Sequence, residues 1–180
     1  TLNPSSAASD VYKRQLSLER TDIGRDGAIA VIGVPSLTFL DISECKALSN
    51  EDLGTIGSSL ISSTTSQLGA LKCDAFEVPL GATSLNLSSK SIGTAAATLL
   101  AGVIKYNTTV TECNLLKNNL DTETATMIAK IGTEKGIMLS GIKRDQEEAD
   151  FSRQGLKPAD GILIASDLIC LLYTSPSPRD

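Results

Sequence analysis

The chain has 180 residues, with 16 basic against 21 acidic side chains and no histidine, which gives a formal net charge of −5. This acidic balance disfavours nucleic acid or an anionic membrane as the main partner, and no apolar run is long enough to span a bilayer. Without histidine the chain lacks the usual general base and the Ser-His-Asp arrangement.

The two ends of the chain have sequences that we interpret as non-native. SSAASDVYKRQ at residues 5–15 and CLLYTSPSPRD at residues 170–180 resemble translations of the two arms of a transposase-based sequencing-library adapter. We therefore expect non-native tails at residues 1–15 and 170–180. Residues 16–169 are expected to form one domain that is itself incomplete.

The first half of the chain alternates short L-x-L patterns with helical stretches. Alternating apolar residues predict strands, because strand side chains point to opposite faces in turn. Strands are predicted at 16–18, 40–42 and 68–73. Helices are predicted at 27–34 and 52–62, the second one capped by Ser49 or Asn50. Only fourteen residues separate Leu71 from Leu85, so we expect an irregular crossing at 76–81 instead of a helix.

The second half contains two copies of one unit, LNLSSKSI at 85–92 and CNLLKNNL at 113–120, so that each position recurs 28 residues later. Asn118 in the second copy is expected to be buried and to bond loop backbone groups that have no sheet partner. Residues 136–139 form a short apolar run of strand character. A last unit is predicted with its strand at 149–151. Three helices are predicted, at 95–106, 122–131 and 158–168.

A fixed period of this size is typical of a solenoid. The L-x-L pattern with its following polar position resembles the leucine-rich repeats of the ribonuclease-inhibitor type, which also form the sensing regions of NOD-like receptors. The resemblance implies an α/β leucine-rich repeat solenoid, with short parallel strands on the concave side and helices on the convex side. Each unit would bury its apolar edge against the next one.

The cysteines of the expected domain occupy strand or buried-ladder positions. Cys45, Cys73 and Cys113 are therefore predicted to be small buried groups. No CxxC pair accompanies them, so we expect no metal site. Reduced cysteines favour an intracellular, cytoplasmic setting.

The sequence predicts a binding function and no enzymatic one. No P-loop, dinucleotide-binding turn or nucleophile elbow appears, so we expect no enzyme activity and no cofactor. In a solenoid of this type the residues between the leucines project from the concave face, where they are predicted to bind another protein. The projecting residues are Ser17, Asp41, Lys72, Asn86, Asn114 and Asp150. The positions just after the second apolar residue add Glu19, Ser43, Asp74, Ser88, Leu116 and Ser152.

Two alternative functions come from the resemblance. The repeats of the Ran GTPase-activating protein are of this type, which implies a regulatory role that stimulates another protein's GTP hydrolysis. The sensing regions of receptors imply instead a ligand-sensing part of a larger signalling protein.

Overall fold

The structure is a computed structural model that describes residues 14–174, with side chains described through Leu172. Most of the two predicted tails, residues 1–13 and 175–180, lies outside the described residues. The parts that are described pack into the fold, because Gln15 begins a strand and Cys170 is buried.

The chain divides into two compact units. The first unit contains the described residues up to Ala82 and Ala95–Thr108, and the second contains Thr83–Thr94 and the described residues from Thr109 onward.

The first unit contains a four-stranded sheet in the order β1-β2-β3-β4. The first three strands are parallel, and β4 runs antiparallel to β3. The strands are β1 (Gln15–Ser17), β2 (Phe39–Asp41), β3 (Ala70–Lys72) and β4 (Glu77–Val78). The helices are α1 (Gly24–Ile32), α2 (Asn50–Ser62) and, from Ala95 onward, α3 (Thr94–Tyr106).

Helices α2 and α3 pack closely in the core of the first unit. A Cβ atom on Gly57 would lie 2.4 Å from the backbone nitrogen of Leu99, so only glycine allows this approach. Ile56 and Leu60 of α2 are fully buried. The first turn of α2 carries a capping box, in which Ser49 and Asp52 satisfy each other's backbone N–H groups, so Ser49 is the cap.

The second unit contains two parallel strands, β5 (Ser84–Asn86) and β6 (Glu112–Asn114), with Leu85 paired to Cys113. A third extended segment continues this sheet, since Cys113 N donates to Met138 O at 2.7 Å and Leu115 N donates to Leu139 O at 2.9 Å. The helices of this unit are α4 (Thr122–Lys135) and α5 (Pro158–Thr174).

The predicted solenoid is wrong. Over residues 14–174 the fold is mixed α/β, with five helices and two small sheets that form no continuous repeat array. Strand β4 takes the remaining edge of β3 by antiparallel pairing, which ends the first sheet. The unit lengths also vary, because the paired residues Leu16, Leu40 and Leu71 are 24 and 31 residues apart. A 28-residue spacing therefore holds only between β5 and β6.

The last predicted unit also differs from the structure. Residues 149–151 form no strand, and Phe151 packs against Met138, Ile142 and Cys170 instead. Beside β6, which also pairs with β5, the extended segment is the apolar run that contains Met138. The predicted helix start at Pro158 is confirmed, although α5 continues to Thr174.

Helix α4 ends later than the sequence predicts. Gly136 adopts a left-handed φ of 69° as its C-cap, whereas Gly132 lies inside the helix and is buried. A Cβ atom on Gly132 would lie 2.7 Å from a methyl carbon of Leu139. Gly132 therefore packs closely against the Leu139 side chain and does not terminate the helix.

Asn118 bonds four backbone groups, as its position in the unit predicts. Its Oδ1 accepts from Lys90 N at 3.1 Å and Ile92 N at 3.0 Å. Its Nδ2 donates to Leu87 O at 2.8 Å and Leu115 O at 2.9 Å. Asn118 is only 3% exposed, so water cannot replace these bonds.

Replacing Asn118 by alanine should destabilise the chain by about 3 kcal/mol, because buried backbone groups that lose their partners each cost about 1–3 kcal/mol. Asn119→Ala is the matched control, since the Asn119 side chain is exposed and accepts only from Lys157 Nζ. We expect the control to change the free energy of unfolding by less than about 0.5 kcal/mol. Urea denaturation measures both, and equal effects would contradict the role assigned to Asn118.

Two buried aspartates fasten α5 within the second unit. Asp167 accepts from Leu139 N at 2.6 Å through Oδ1, and from Ser140 N at 2.7 Å and Ser140 Oγ at 2.5 Å through Oδ2. Asp160, seven residues earlier in the same helix, accepts from Lys117 N at 2.7 Å and Lys157 N at 2.8 Å. Helix α5 is therefore held by polar bonds to loop backbone as well as by apolar packing.

The pKa of Asp167 gives a pH dependence of defined sign. Burial raises this pKa, although the bonds from Ser140 and Leu139 oppose the rise. The folded state then binds more protons than the unfolded state, so the stability due to Asp167 falls as pH rises through the folded pKa. We expect the stability advantage of the wild type over Asp167→Asn to decrease as pH rises above about 4. Urea denaturation checks this, with the exposed Asp145→Asn variant as control, and an advantage that grows with pH would contradict it.

Candidate functional site

Three strand-end residues of the first unit form a row, here called the strand row. Ser17, Asp41 and Lys72 are register partners on neighbouring parallel strands. Neighbouring parallel strands lie about 4.8 Å apart, so these side chains are adjacent. Leu40 and Leu71, which precede two of them, are fully buried. Since successive side chains alternate in direction, the strand row lies on the opposite face of the sheet from this core.

Asp41 is the fixed centre of the strand row. Its Oδ1 accepts from Ser43 N at 2.9 Å and Ser43 Oγ at 2.6 Å, and its Oδ2 accepts from Lys72 Nζ at 3.2 Å. Burial alone would raise the pKa of Asp41, but the bonds from Ser43 and Lys72 outweigh it and hold the pKa below its ordinary value. The carboxylate is therefore charged and held in one orientation at neutral pH.

A second cluster of charged side chains follows the strand ends in the sequence. Arg20 donates to Glu44 through two nitrogens, at 2.7 Å and 3.0 Å, and Glu19 lies 3.8 Å from the same guanidinium. The backbone N–H of Glu44 donates to Asp74 Oδ1 at 2.8 Å. The hydrogen bond from Arg20 lowers the pKa of Glu44. These side chains are exposed, so the contacts orient them without removing them from solvent.

The same left-handed turn recurs after five predicted binding positions. In each case the residue three positions after the predicted binding residue has a φ between 55° and 61°. These residues are Arg20, Glu44, Ser89, Lys117 and Arg153. At four of the five positions the side chain of the predicted binding residue accepts from the N–H two residues later, and these acceptors are Asp41, Asn86, Asn114 and Asp150.

Two adjoining grooves border the charged groups of the first unit. The larger has a volume of about 640 Å³ and is lined by Arg20, Asp22, Glu44, Cys45, Lys46, Leu48 and Asp74. The smaller, of about 300 Å³, is more apolar and is lined by Ile42, Cys45, Leu48, Ser49, Asn50, Leu53, Cys73, Asp74 and Ala75. The grooves share Cys45, Leu48 and Asp74, so they are continuous.

The cysteines at the grooves are structural. Cys45 donates to Leu18 O at 3.0 Å and Cys73 donates to Phe76 O at 3.5 Å. Burial raises the pKa of Cys73 to about 11, and burial raises the pKa of Cys113 to about 12. Cys73 and Cys113 are therefore protonated thiols at neutral pH, not nucleophiles.

The remaining predicted binding residues belong to the second unit. Asn86 and Asn114 are register partners, and Ser88 donates to Asn86 Oδ1 at 2.8 Å. Leu116 is only 4% exposed, so its side chain is not presented to a partner. The positions Asp150 and Ser152 are exposed but lie outside any strand, so they do not extend the row formed by the asparagines.

The described residues contain no group of three or more histidine, cysteine or acidic side chains that could hold a metal ion. None of the helices within residues 14–174 is long and apolar enough to cross a membrane. Comparisons with protein-family models, with curated proteins and with solved structures gave no match for this chain.

The predicted binding residues include the strand row and Asp74, but not the other residues that line the grooves. Arg20 and Glu44, which both line the larger groove, occupy the left-handed turn positions, and Lys46 follows Glu44 by two residues. Arginine and glutamate are uncommon at positive φ, so no local signal marks them. For Glu44 the usable signal is indirect, namely Asp41, which ends a strand three positions earlier; Arg20 follows Ser17 and lacks this signal.

Asp41 should stabilise the first unit most at neutral pH. Because folding lowers its pKa, this stability is present above the ordinary value and is lost as pH falls through the folded pKa. Asp41→Asn keeps an acceptor for Ser43 but loses the ion pair with Lys72. We expect the wild-type advantage over Asp41→Asn in urea denaturation to be largest near pH 6 and to shrink below about pH 4. A constant advantage across this range would show that the ion pair contributes nothing.

Proposed function

We propose that this chain is a protein-binding module that recognises a positively charged segment of a partner protein along the two joined grooves of the first unit. The observation that supports it is the set of carboxylates held in place at the groove, where Asp74 bonds the backbone of Glu44 and Glu44 is held by Arg20. Groups that are already ordered lose little entropy on binding.

Charge favours a basic partner. The larger groove has three acidic side chains, Asp22, Glu44 and Asp74, against the two basic ones Arg20 and Lys46. Arg20 is already engaged with Glu44. The smaller groove adds an apolar floor that includes Ile42 and Leu53. A segment that combines lysine or arginine with an apolar side chain therefore complements the two grooves.

Size also favours a peptide segment. The larger groove alone lies within the range of about 300–1,000 Å³ that is typical of ligand sites, and the smaller one continues from it. This proposal does not depend on a repeat array, because both grooves lie within the first unit. The regulatory and receptor alternatives stay predictions, since no particular contact favours them.

A peptide array of lysine-rich, glutamate-rich and neutral sequences provides the test. We expect the full chain to bind apolar-basic peptides preferentially, and more weakly as salt increases. Neutralising the groove with Asp22→Asn, Glu44→Gln and Asp74→Asn together should weaken binding about tenfold. Asp74→Asn keeps the oxygen that Glu44 N requires, so the fold is preserved.

A triple variant in the second unit is the control. Asp145→Asn, Glu147→Gln and Glu148→Gln make the same change in net charge at exposed positions of a connecting segment. This variant should bind basic peptides as the wild type does. If both triple variants weaken binding equally, the effect is one of net charge, and the groove is not the binding site.

A further inference from the structure

A separate polar crevice of about 230 Å³ lies at the strands of the second unit. It is lined by Ser84, Leu85, Asn86, Glu112, Asn114, Gly141 and Lys143. Unlike the grooves of the first unit, it combines two side-chain amides with an ammonium group. Its chemistry therefore differs from that of the proposed basic-peptide site.

The two asparagines present hydrogen-bond donors. Asn86 Oδ1 accepts from Ser88 N at 3.3 Å and Ser88 Oγ at 2.8 Å, and Asn114 Oδ1 accepts from Leu116 N at 3.1 Å. The carbonyl oxygens are therefore used by their own turns, and the NH₂ groups are the donors that the two side chains can offer to a ligand in the crevice they line. Because the two residues are register partners, their amides lie on neighbouring strands about 4.8 Å apart.

Lys143 adds a positive charge to these donors. Its ammonium pairs with Glu112, which also accepts from Ser84 Oγ at 3.2 Å. The bond from Lys143 lowers the pKa of Glu112, and Arg144 acts in the same direction. Two cations thus act on one carboxylate. An ammonium group has three N–H donors, so Lys143 can bond Glu112 and a second acceptor together.

Gly141 keeps the crevice narrow. It has a φ of 81°, and a Cβ atom there would lie 2.6 Å from Asn114 Nδ2. Only glycine lets this loop pass so close to the amide. The loop therefore holds Asn114 against the crevice wall, which orients its donor group.

We infer that this crevice binds a carboxylate group. The amides of Asn86 and Asn114 and the ammonium of Lys143 donate to its two oxygens, while Glu112 holds Lys143 in position. At about 30 Å³ per water molecule, the crevice has room for about eight waters. A carboxylate on a short aliphatic stem fits this space, whereas a drug-sized ligand of about 300 Å³ or more does not. The carboxylate comes either from a small free acid or from an acidic side chain of a protein.

Asparagine-to-aspartate substitution gives a sharp test, because it keeps the acceptor oxygen and replaces the NH₂ donor by a second, negatively charged oxygen. Asp41 and Asp150 already make this turn with their carboxylates, so the fold accepts the exchange. In the ¹⁵N-labelled full chain, N-acetylglutamate should shift the backbone resonances of Ser88 and Gly141 saturably, with a Kd on the order of 1–10 mM. Asn86→Asp, Asn114→Asp and Lys143→Met should each weaken this binding at least about tenfold.

Asn119→Asp is the matched control, because it adds the same charge in the second unit outside the crevice, and it should bind as the wild type does. The uncharged N-acetylglutamine amide, which has no carboxylate, should cause no saturable shift at equal ionic strength. Tighter binding of the capped peptide Ala-Glu-Ala than of N-acetylglutamate assigns the site to a protein side chain, and equal or weaker binding assigns it to a free acid. Absence of saturable shifts with both acidic probes, or unchanged binding by both Asn→Asp variants, would overturn the inference.

Discussion

The fold depends on polar side chains that complete the backbone hydrogen bonding of very short strands. Five of the six strands in the described part of the chain have three residues and the other has two, so most turn N–H and C=O groups have no sheet partner. Asn118 supplies partners for four such groups and Asp167 for two. Because an unpaired buried group costs about 1–3 kcal/mol, a few buried polar residues matter as much to stability as the larger apolar side chains.

This constraint explains why parts of the fold could be predicted from the sequence. Alternating leucines locate β2 and β5 within a residue, since the period of two follows directly from strand geometry. The prediction of a buried amide at Asn118 has a different basis: the turn beside it requires donors and acceptors together. Local geometry and local chemistry therefore agree at these positions.

The long-range arrangement could not be predicted in the same way. A 28-residue spacing between two units indicates that they are neighbours, but it does not determine what lies beside them. Strand β4 is only two residues long and pairs antiparallel with β3, and nothing in Glu77–Val78 distinguishes it from a loop. The segment around Met138 extends the second sheet, and residues 149–151 do not. Asp167 bonds Leu139 and Ser140, and these contacts join residues 28 and 27 positions apart in the chain.

The strand-end residues of the two units differ through one atom at a shared local position. Where the strand ends in aspartate, as at Asp41, one oxygen bonds the turn and the other remains an acceptor, which Lys72 occupies. Where it ends in asparagine, as at Asn86 and Asn114, the same turn bond leaves a donor outward. The turn bond uses one oxygen in both cases, so the residue type alone sets whether the second polar atom is an acceptor or a donor. The neighbouring charged groups differ as well, with Lys72 bonded to Asp41 in the first unit and the pair of Glu112 and Lys143 beside the amides of the second.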